Sequence, residues 1–182
     1  MLKRARTLIG KHLVLSVTLA LVGVFSLAVP TIARHYYLAN SLDRDKRLRQ
    51  IDALNSEPSS EAIPALLAAA VDKDADVSEH AMRLLIQHYR AEAEPYLKKE
   101  LVAGRGRAFN TALLIVSIGK YQNLQEVVRE LAVSPAHDQF EQLSATFTLR
   151  ELDDTEGLRT VAATHPDKRL RDFATAMSHS IR

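Results

Sequence analysis

The chain has 182 residues, which is enough for one domain and a short additional segment. Its 24 Lys and Arg residues nearly balance its 22 Asp and Glu residues, so the net charge indicates no particular class of partner. The absence of cysteine excludes disulfides, thiolate metal sites, a cysteine nucleophile and a lipid-modified cysteine.

An uncharged apolar segment follows a basic N-terminal segment. Residues 1–12 carry four Lys or Arg residues, and the apolar segment begins at Leu13 and ends at Ala33. As a helix, residues 13–33 would span roughly 31 Å, close to the ~30 Å hydrocarbon core of a bilayer. We therefore predict a single transmembrane helix that is retained in the mature protein.

The end of the apolar segment allows an alternative. Thr31, Ile32 and Ala33 fit the small-x-small pattern of a signal-peptide cleavage site, which would release a secreted soluble form beginning at Arg34. The apolar run is longer than a typical signal-peptide core, which favours retention. Basic residues flank both ends almost equally, but the short basic N-terminus favours a cytoplasmic N-terminus with the rest of the chain translocated.

Residues 34–60 are predicted to form a charged juxtamembrane helix and a linker. Leu48, Ile51 and Leu54 fall on one helical stripe, and residues 55–60 form a turn-rich cluster. We expect this helix to cap the following domain. The alternative is contact with lipid headgroups through its four arginine and lysine side chains at positions 44, 46, 47 and 49.

Residues 61–182 repeat the same pattern every 31 residues, without a gap. Each unit contains two apolar stretches of helical spacing, separated by a polar loop at residues 72–76, 104–107, 135–138 or 165–169. One column of the repeat holds Ala81, Ala112, Leu143 and Ala174. The pattern predicts four helical hairpins that bury their apolar faces by stacking on one another.

The first unit, AIPALLAAAVDKDADVSEHAMRLL, resembles a short HEAT-like repeat of the type found in phycobilin-lyase relatives, and HPDKRLRDFATAM resembles the same turn and second helix. This resemblance covers residues 61–182. It implies an all-α fold, an α/α superhelical solenoid of about four HEAT-like hairpins after the transmembrane helix. It also implies use as a protein-binding scaffold, although some members assist chromophore attachment or modify a partner protein.

No pattern in the sequence indicates a catalytic, metal or cofactor site. Asp72, Asp74 and Asp76 resemble the start of an EF-hand loop, but Val77 stands where that loop needs glycine and Arg83 where it needs glutamate. We therefore expect a solvated turn, a protein that is not an enzyme, and no cofactor. Nucleic acid is not an expected partner, because no basic patch is interleaved with aromatic residues.

The polar loops supply the candidate binding residues. If the hairpins stack in register, the four loops share one edge of the domain and their cationic residues form a basic ridge. The proposed ridge residues are Arg105, Arg107, His137, Lys168 and Arg169. This ridge is either a solvated edge of mixed charge or a docking strip for an acidic partner or anionic headgroups. The sequence thus predicts a membrane-tethered interaction scaffold, with a membrane-held accessory or lyase-like modifier of a partner as the alternative.

Overall fold

The computed structural model describes residues 44–181, and all the regular structure in this range is helical. The all-α prediction is therefore confirmed for this part of the chain. The predicted segments 1–12 and 13–33 lie outside the described residues, as does the beginning of segment 34–60. Between residues 44 and 181, no helix has the length and apolar character needed to cross a bilayer.

Nine α-helices and two short 3-10 turns make up the described part. The helices are α1 (Arg44–Ala53), α2 (Ser59–Ala70), α3 (Ala75–His88), α4 (Arg90–Ala103), α5 (Gly106–Gly119), α6 (Gln125–Val133), α7 (Gln139–Glu151), α8 (Thr155–Thr164) and α9 (Lys168–Ser180). The 3-10 turns are Leu54–Ser56 and Gln122–Leu124.

Helices α2 to α9 pair into four hairpins, since α2 packs on α3, α4 on α5, α6 on α7 and α8 on α9. The first helices of successive hairpins, α2, α4, α6 and α8, also contact one another in chain order. The second helices, α3, α5, α7 and α9, form a corresponding row, and α1 packs beside α3. Each hairpin thus buries its apolar face against its neighbours in the chain.

An aspartate caps four of the described helices, including three of the four second helices of the hairpins. The side chains of Asp74, Asp138, Asp154 and Asp167 accept hydrogen bonds from backbone N–H groups at the starts of α3, α7, α8 and α9. Such caps satisfy N–H groups that have no partner within the helix. These four aspartates are therefore used locally, as helix caps.

Among the second helices of the hairpins, α5 is the exception, because Arg105 stands at its N-cap position and makes no side-chain cap. The next residue, Gly106, has φ +59°, a left-handed conformation that glycine adopts without steric cost. Its N–H donates to Oε1 of Glu141 on α7, at 2.7 Å. A carboxylate from the following hairpin thus takes the place of the missing cap.

The gapless 31-residue period is wrong in the third hairpin. Helix α5 starts 31 residues after α3 (106 against 75), but α7 starts 33 residues after α5 (139) and α9 only 29 after α7 (168). Ala81, Ala112 and Ala174 are buried as predicted. The third position of this alanine column is Ala145, with no exposed surface, whereas Leu143 is 37% exposed. The physical reason is the longer third loop, which delays the start of α7 by two residues.

Candidate partner-binding surface

The four loops within the hairpins are joined in chain order by hydrogen bonds along one edge of the domain. We call this the loop edge, formed by residues 71–74, 104–105, 134–138 and 165–167 with the first helical turn after each. The Arg107 side chain donates to the Asp72 carbonyl, and Gly106 donates to Glu141. The Gln139 amide then donates to the Asp167 carboxylate, which links the third loop to the fourth.

Four of the five predicted ridge residues are exposed on this loop edge. Arg105 and Arg107 lie at the start of α5, and Lys168 and Arg169 lie at the start of α9. Because one hairpin separates α5 from α9, the two pairs of cations are roughly 16–20 Å apart, twice the usual distance between packed helices. The structure therefore brings them to one edge but not into one cluster.

Lys168 already has a partner. Its Nζ lies 2.7 Å from Oδ2 of Asp172, one turn later on α9, and both side chains are more than half exposed. Such an exposed pair contributes little to stability and is easily exchanged for another partner. Arg105 donates to the carbonyl of Gly104 at 2.6 Å.

The fifth predicted residue, His137, is not on the ridge surface. It is 7% exposed, and its ring stacks on Phe109 of α5 with centroids 4.7 Å apart. Its Nδ1 lies 2.9 Å from Oε2 of Glu141. The imidazole is internal because it covers an aromatic ring and satisfies its own polar atom there, so the third loop offers no exposed cation.

Glu141 holds this buried arrangement together. Its carboxylate is 4% exposed and faces the N–H groups of Gly106 and Asp138 as well as the His137 ring. Burial alone would raise the pKa of Glu141. The hydrogen bonds from Gly106, His137 and Asp138 outweigh that effect and hold the pKa of this carboxyl below its usual 4.5.

A local sequence pattern indicates the hydrogen bonds between Asp138 and Glu141. Asp138 and Glu141 have the three-residue spacing of a capping box, and the structure contains both of its hydrogen bonds. This spacing marks Glu141 only as part of a helix start. No local pattern indicates its bond to Gly106, because the two residues are 35 positions apart.

The acidic first loop is also engaged within the domain. Arg47 of α1 is almost fully buried, and its Nε and Nη2 lie 3.3 and 3.6 Å from carboxylate oxygens of Asp72 and Asp74. Within residues 44–181, no group of three or more His, Asp or Glu side chains is arranged to hold a metal ion.

A second buried carboxylate joins the third and fourth hairpins. Asp154 caps α8 and accepts two hydrogen bonds from Arg129 of α6, at 2.6 and 2.7 Å. Burial would raise the pKa of Asp154, but the bonds from Arg129 and from the N–H of Gly157, together with the Arg129 charge, lower it. This ion pair joins α6 of the third hairpin to the start of α8 in the fourth.

Large apolar side chains are exposed on two adjacent second helices, α5 and α7. We call this set the apolar patch: Leu114, Ile118, Phe140, Leu143 and Phe147. In the described part, one other large apolar side chain, Val102 on α4, is exposed to a similar degree. The sequence pattern did not indicate this patch, because the gapless period aligned Leu143 with the buried Ala81 and Ala112.

A cleft of about 280 Å³ connects the apolar patch to the loop edge. It lies between α7 and α9 and is lined by Gln139, Phe140, Leu143, Arg169 and Leu170. Its walls are mainly apolar, and Arg169 is the charged residue among those that line it. A cleft of this composition is suited to one large apolar side chain with a negative charge nearby.

No protein-family model matches the sequence, and comparisons with curated proteins and with solved structures gave no significant match.

Proposed function

We propose that this protein is a membrane-tethered interaction scaffold. In this proposal, residues 13–33 anchor the chain, with a cytoplasmic N-terminus, and residues 61–182 form an α/α superhelical solenoid of four HEAT-like hairpins on the other side of the membrane. The succession of hairpin contacts supports the solenoid, because repeat proteins bury each unit against its neighbours in the chain.

The observation that carries the binding role is the apolar patch beside the exposed cations of the loop edge. Single exposed apolar residues are common on protein surfaces, but contiguous patches often mark interaction sites. Here five large apolar side chains lie on two packed helices, and the adjoining cleft reaches Arg169. The partner is expected to be another protein, and the role needs no cofactor.

The anchor can be tested by membrane extraction. We expect the full-length protein to pellet with membranes and to resist alkaline carbonate, with its N-terminal peptide retained in mass spectra. Replacing Val22 and Phe25 with arginine should move the protein to the soluble fraction, because each charge at mid-membrane costs about 2.5–3.5 kcal/mol on the insertion scale. Recovery of a soluble wild-type form beginning at Arg34 would contradict the anchor.

The binding role can be tested by charge reversal on the loop edge. Replacing Arg105, Arg107, Lys168 and Arg169 with glutamate should abolish partner capture from membranes solubilised in mild detergent. The wild-type interaction should also weaken with salt, since exposed charges are screened over ~8–10 Å at physiological ionic strength.

The matched control for this experiment reverses cations elsewhere on the domain. Lys98, Lys99 and Arg159 are exposed on the first helices α4 and α8, away from the loop edge. Their replacement by glutamate should leave capture unchanged, and circular dichroism should show both variants to be folded. Capture that survives reversal of the loop-edge cations and high salt would show that these cations are not used.

A further inference from the structure

We infer that the apolar patch binds one amphipathic helix of a partner protein, whose apolar stripe is flanked by acidic residues. The inference rests on the proposed scaffold function and names the chemistry of its partner. Three features of the described domain lead to it: the area of the patch, its shape, and the charges beside it.

The area fits a single helix better than a second copy of this chain. The exposed fractions are 46% for Leu114, 57% for Ile118, 65% for Phe140, 37% for Leu143 and 48% for Phe147. Given ~150–250 Å² for an aromatic side chain, these fractions leave on the order of 450 Å² of apolar surface. A stable protein dimer of standard size buries about 800 Å² on each partner, and obligate homodimers bury more.

The shape of the patch also fits a helix. Leu114 and Ile118 are four residues apart on α5, and Phe140, Leu143 and Phe147 follow three- and four-residue spacings on α7. The two helices pack together, so these residues form rows on neighbouring helices. An amphipathic helix can lie along such rows through apolar residues at i, i+3, i+4 and i+7.

The cleft between α7 and α9 provides an anchor point at one end of the apolar patch. Phe140 and Leu143 belong to both the patch and the cleft, so a helix lying on the patch can place one large side chain in the cleft. Buried anchors of this kind contribute most of the binding energy in typical interfaces. A flat lipid surface would leave the cleft unfilled, which favours a peptide helix as the occupant.

The charges beside the patch select an acidic partner. Arg107 lies two turns before Leu114 on α5, and Arg169 lines the cleft. Among residues 44–181, neither guanidinium is paired with a carboxylate: Arg107 donates to the Asp72 carbonyl, and no side-chain bond of Arg169 is found. Glutamate or aspartate on the flanks of the bound helix would pair with these two cations through charge-assisted hydrogen bonds.

The test is site-specific photocrosslinking of the full-length chain in its native membranes. A benzoylphenylalanine replaces one residue at a time: Leu143 in the patch, Arg105 on the loop edge, or Gln87, an exposed polar residue on α3. We expect the Leu143 variant to crosslink to a partner protein, and the Gln87 variant to give no product. Mass spectrometry should place the Leu143 crosslink in an acidic segment with helical apolar spacing.

A second measurement ties the product to the patch. Replacing Ile118 and Phe147 with glutamine should reduce the yield of the Leu143 crosslink about tenfold or more, whereas Val102→Gln on α4 should not change it. All three side chains are exposed, so these variants should keep the wild-type circular dichroism.

The outcomes separate this inference from the scaffold function. A Leu143 crosslink to lipid, to a second copy of the chain, or to a segment that is not acidic and amphipathic would overturn the inference. A protein crosslink from Arg105 with none from Leu143 would also overturn it, while supporting the scaffold function. The absence of protein crosslinks from both positions would overturn both proposals.

Discussion

Replacing Ala145 with aspartate should unfold the helical domain, whereas Leu143→Asp should lower its free energy of unfolding far less. Ala145 has no exposed surface, and an aspartate there would bury a carboxylate among apolar neighbours. Such an unpaired charge costs several kcal/mol, a large share of the ~5–15 kcal/mol that stabilises a typical domain. Leu143 is 37% exposed, so an aspartate there keeps its charge in water and loses only the partial burial of the leucine side chain.

Urea titration followed by helical circular dichroism measures both effects. The pair of variants tests the register directly, because a gapless 31-residue period would give the opposite result. That period places Leu143 in the same buried column as Ala81 and Ala112. If Leu143→Asp unfolded the domain and Ala145→Asp did not, the helix register described for α7 would be wrong.

Removing the Glu141 carboxylate should give the second large effect. Glu141→Ala removes the acceptor of the Gly106 N–H and of the buried His137 ring. An unsatisfied buried donor costs about 1–3 kcal/mol, and the exposed Gly106 can bind water instead, so we expect a loss of about 2 kcal/mol in the free energy of unfolding. Glu141→Gln is the matched control: it keeps the shape and one acceptor oxygen, and it should lose about half as much.

The same carboxylate should make stability depend on pH. Its pKa in the folded domain lies below the ordinary value of 4.5, so the unfolded chain takes up the proton first as pH falls. The contribution of Glu141 is therefore complete above about pH 4.5 and is lost as pH falls through the folded pKa. Asp154 also makes the domain less stable as pH falls, because its pKa in the folded domain is lowered too.

Comparison with Glu141→Gln isolates the Glu141 contribution. Between about pH 6 and about pH 3, the wild-type protein should lose more stability than this variant, which has no carboxyl at position 141. Equal losses in the two proteins would show that Glu141 does not change its protonation on unfolding. Urea midpoints at each pH provide the measurement.

The sequence was sufficient to predict the helical hairpins, because several helices carry an apolar stripe and a polar loop separates the two helices of each hairpin. Ala81, Ala112 and Ala174 were correctly placed in the interior by their spacing. Helix α7 was different, since FEQLSATFTL has apolar residues on both faces. Periodicity alone does not tell which of Leu143 and Ala145 is buried; the length of the third loop decides it.

His137 illustrates a second limit of prediction from sequence. A histidine in the PAHD loop has the composition of an exposed turn, and its burial depends on Phe109, which comes from α5 in the preceding hairpin. The exposed cations at the starts of α5 and α9 were predictable because their positions follow from loop boundaries alone. The apolar patch was not predicted because the gapless 31-residue period placed Leu143 in a buried column.

The bond between Gly106 and Glu141 also bears on the order in which the domain opens. Helix α5 is completed by a side chain of the third hairpin, and α5 and α7 share an extensive contact. Exchange of amide hydrogens reports such local openings, which occur in cooperative units. The second and third hairpins should therefore open together as a slowly exchanging centre, while α1 and α9 at the two ends exchange sooner.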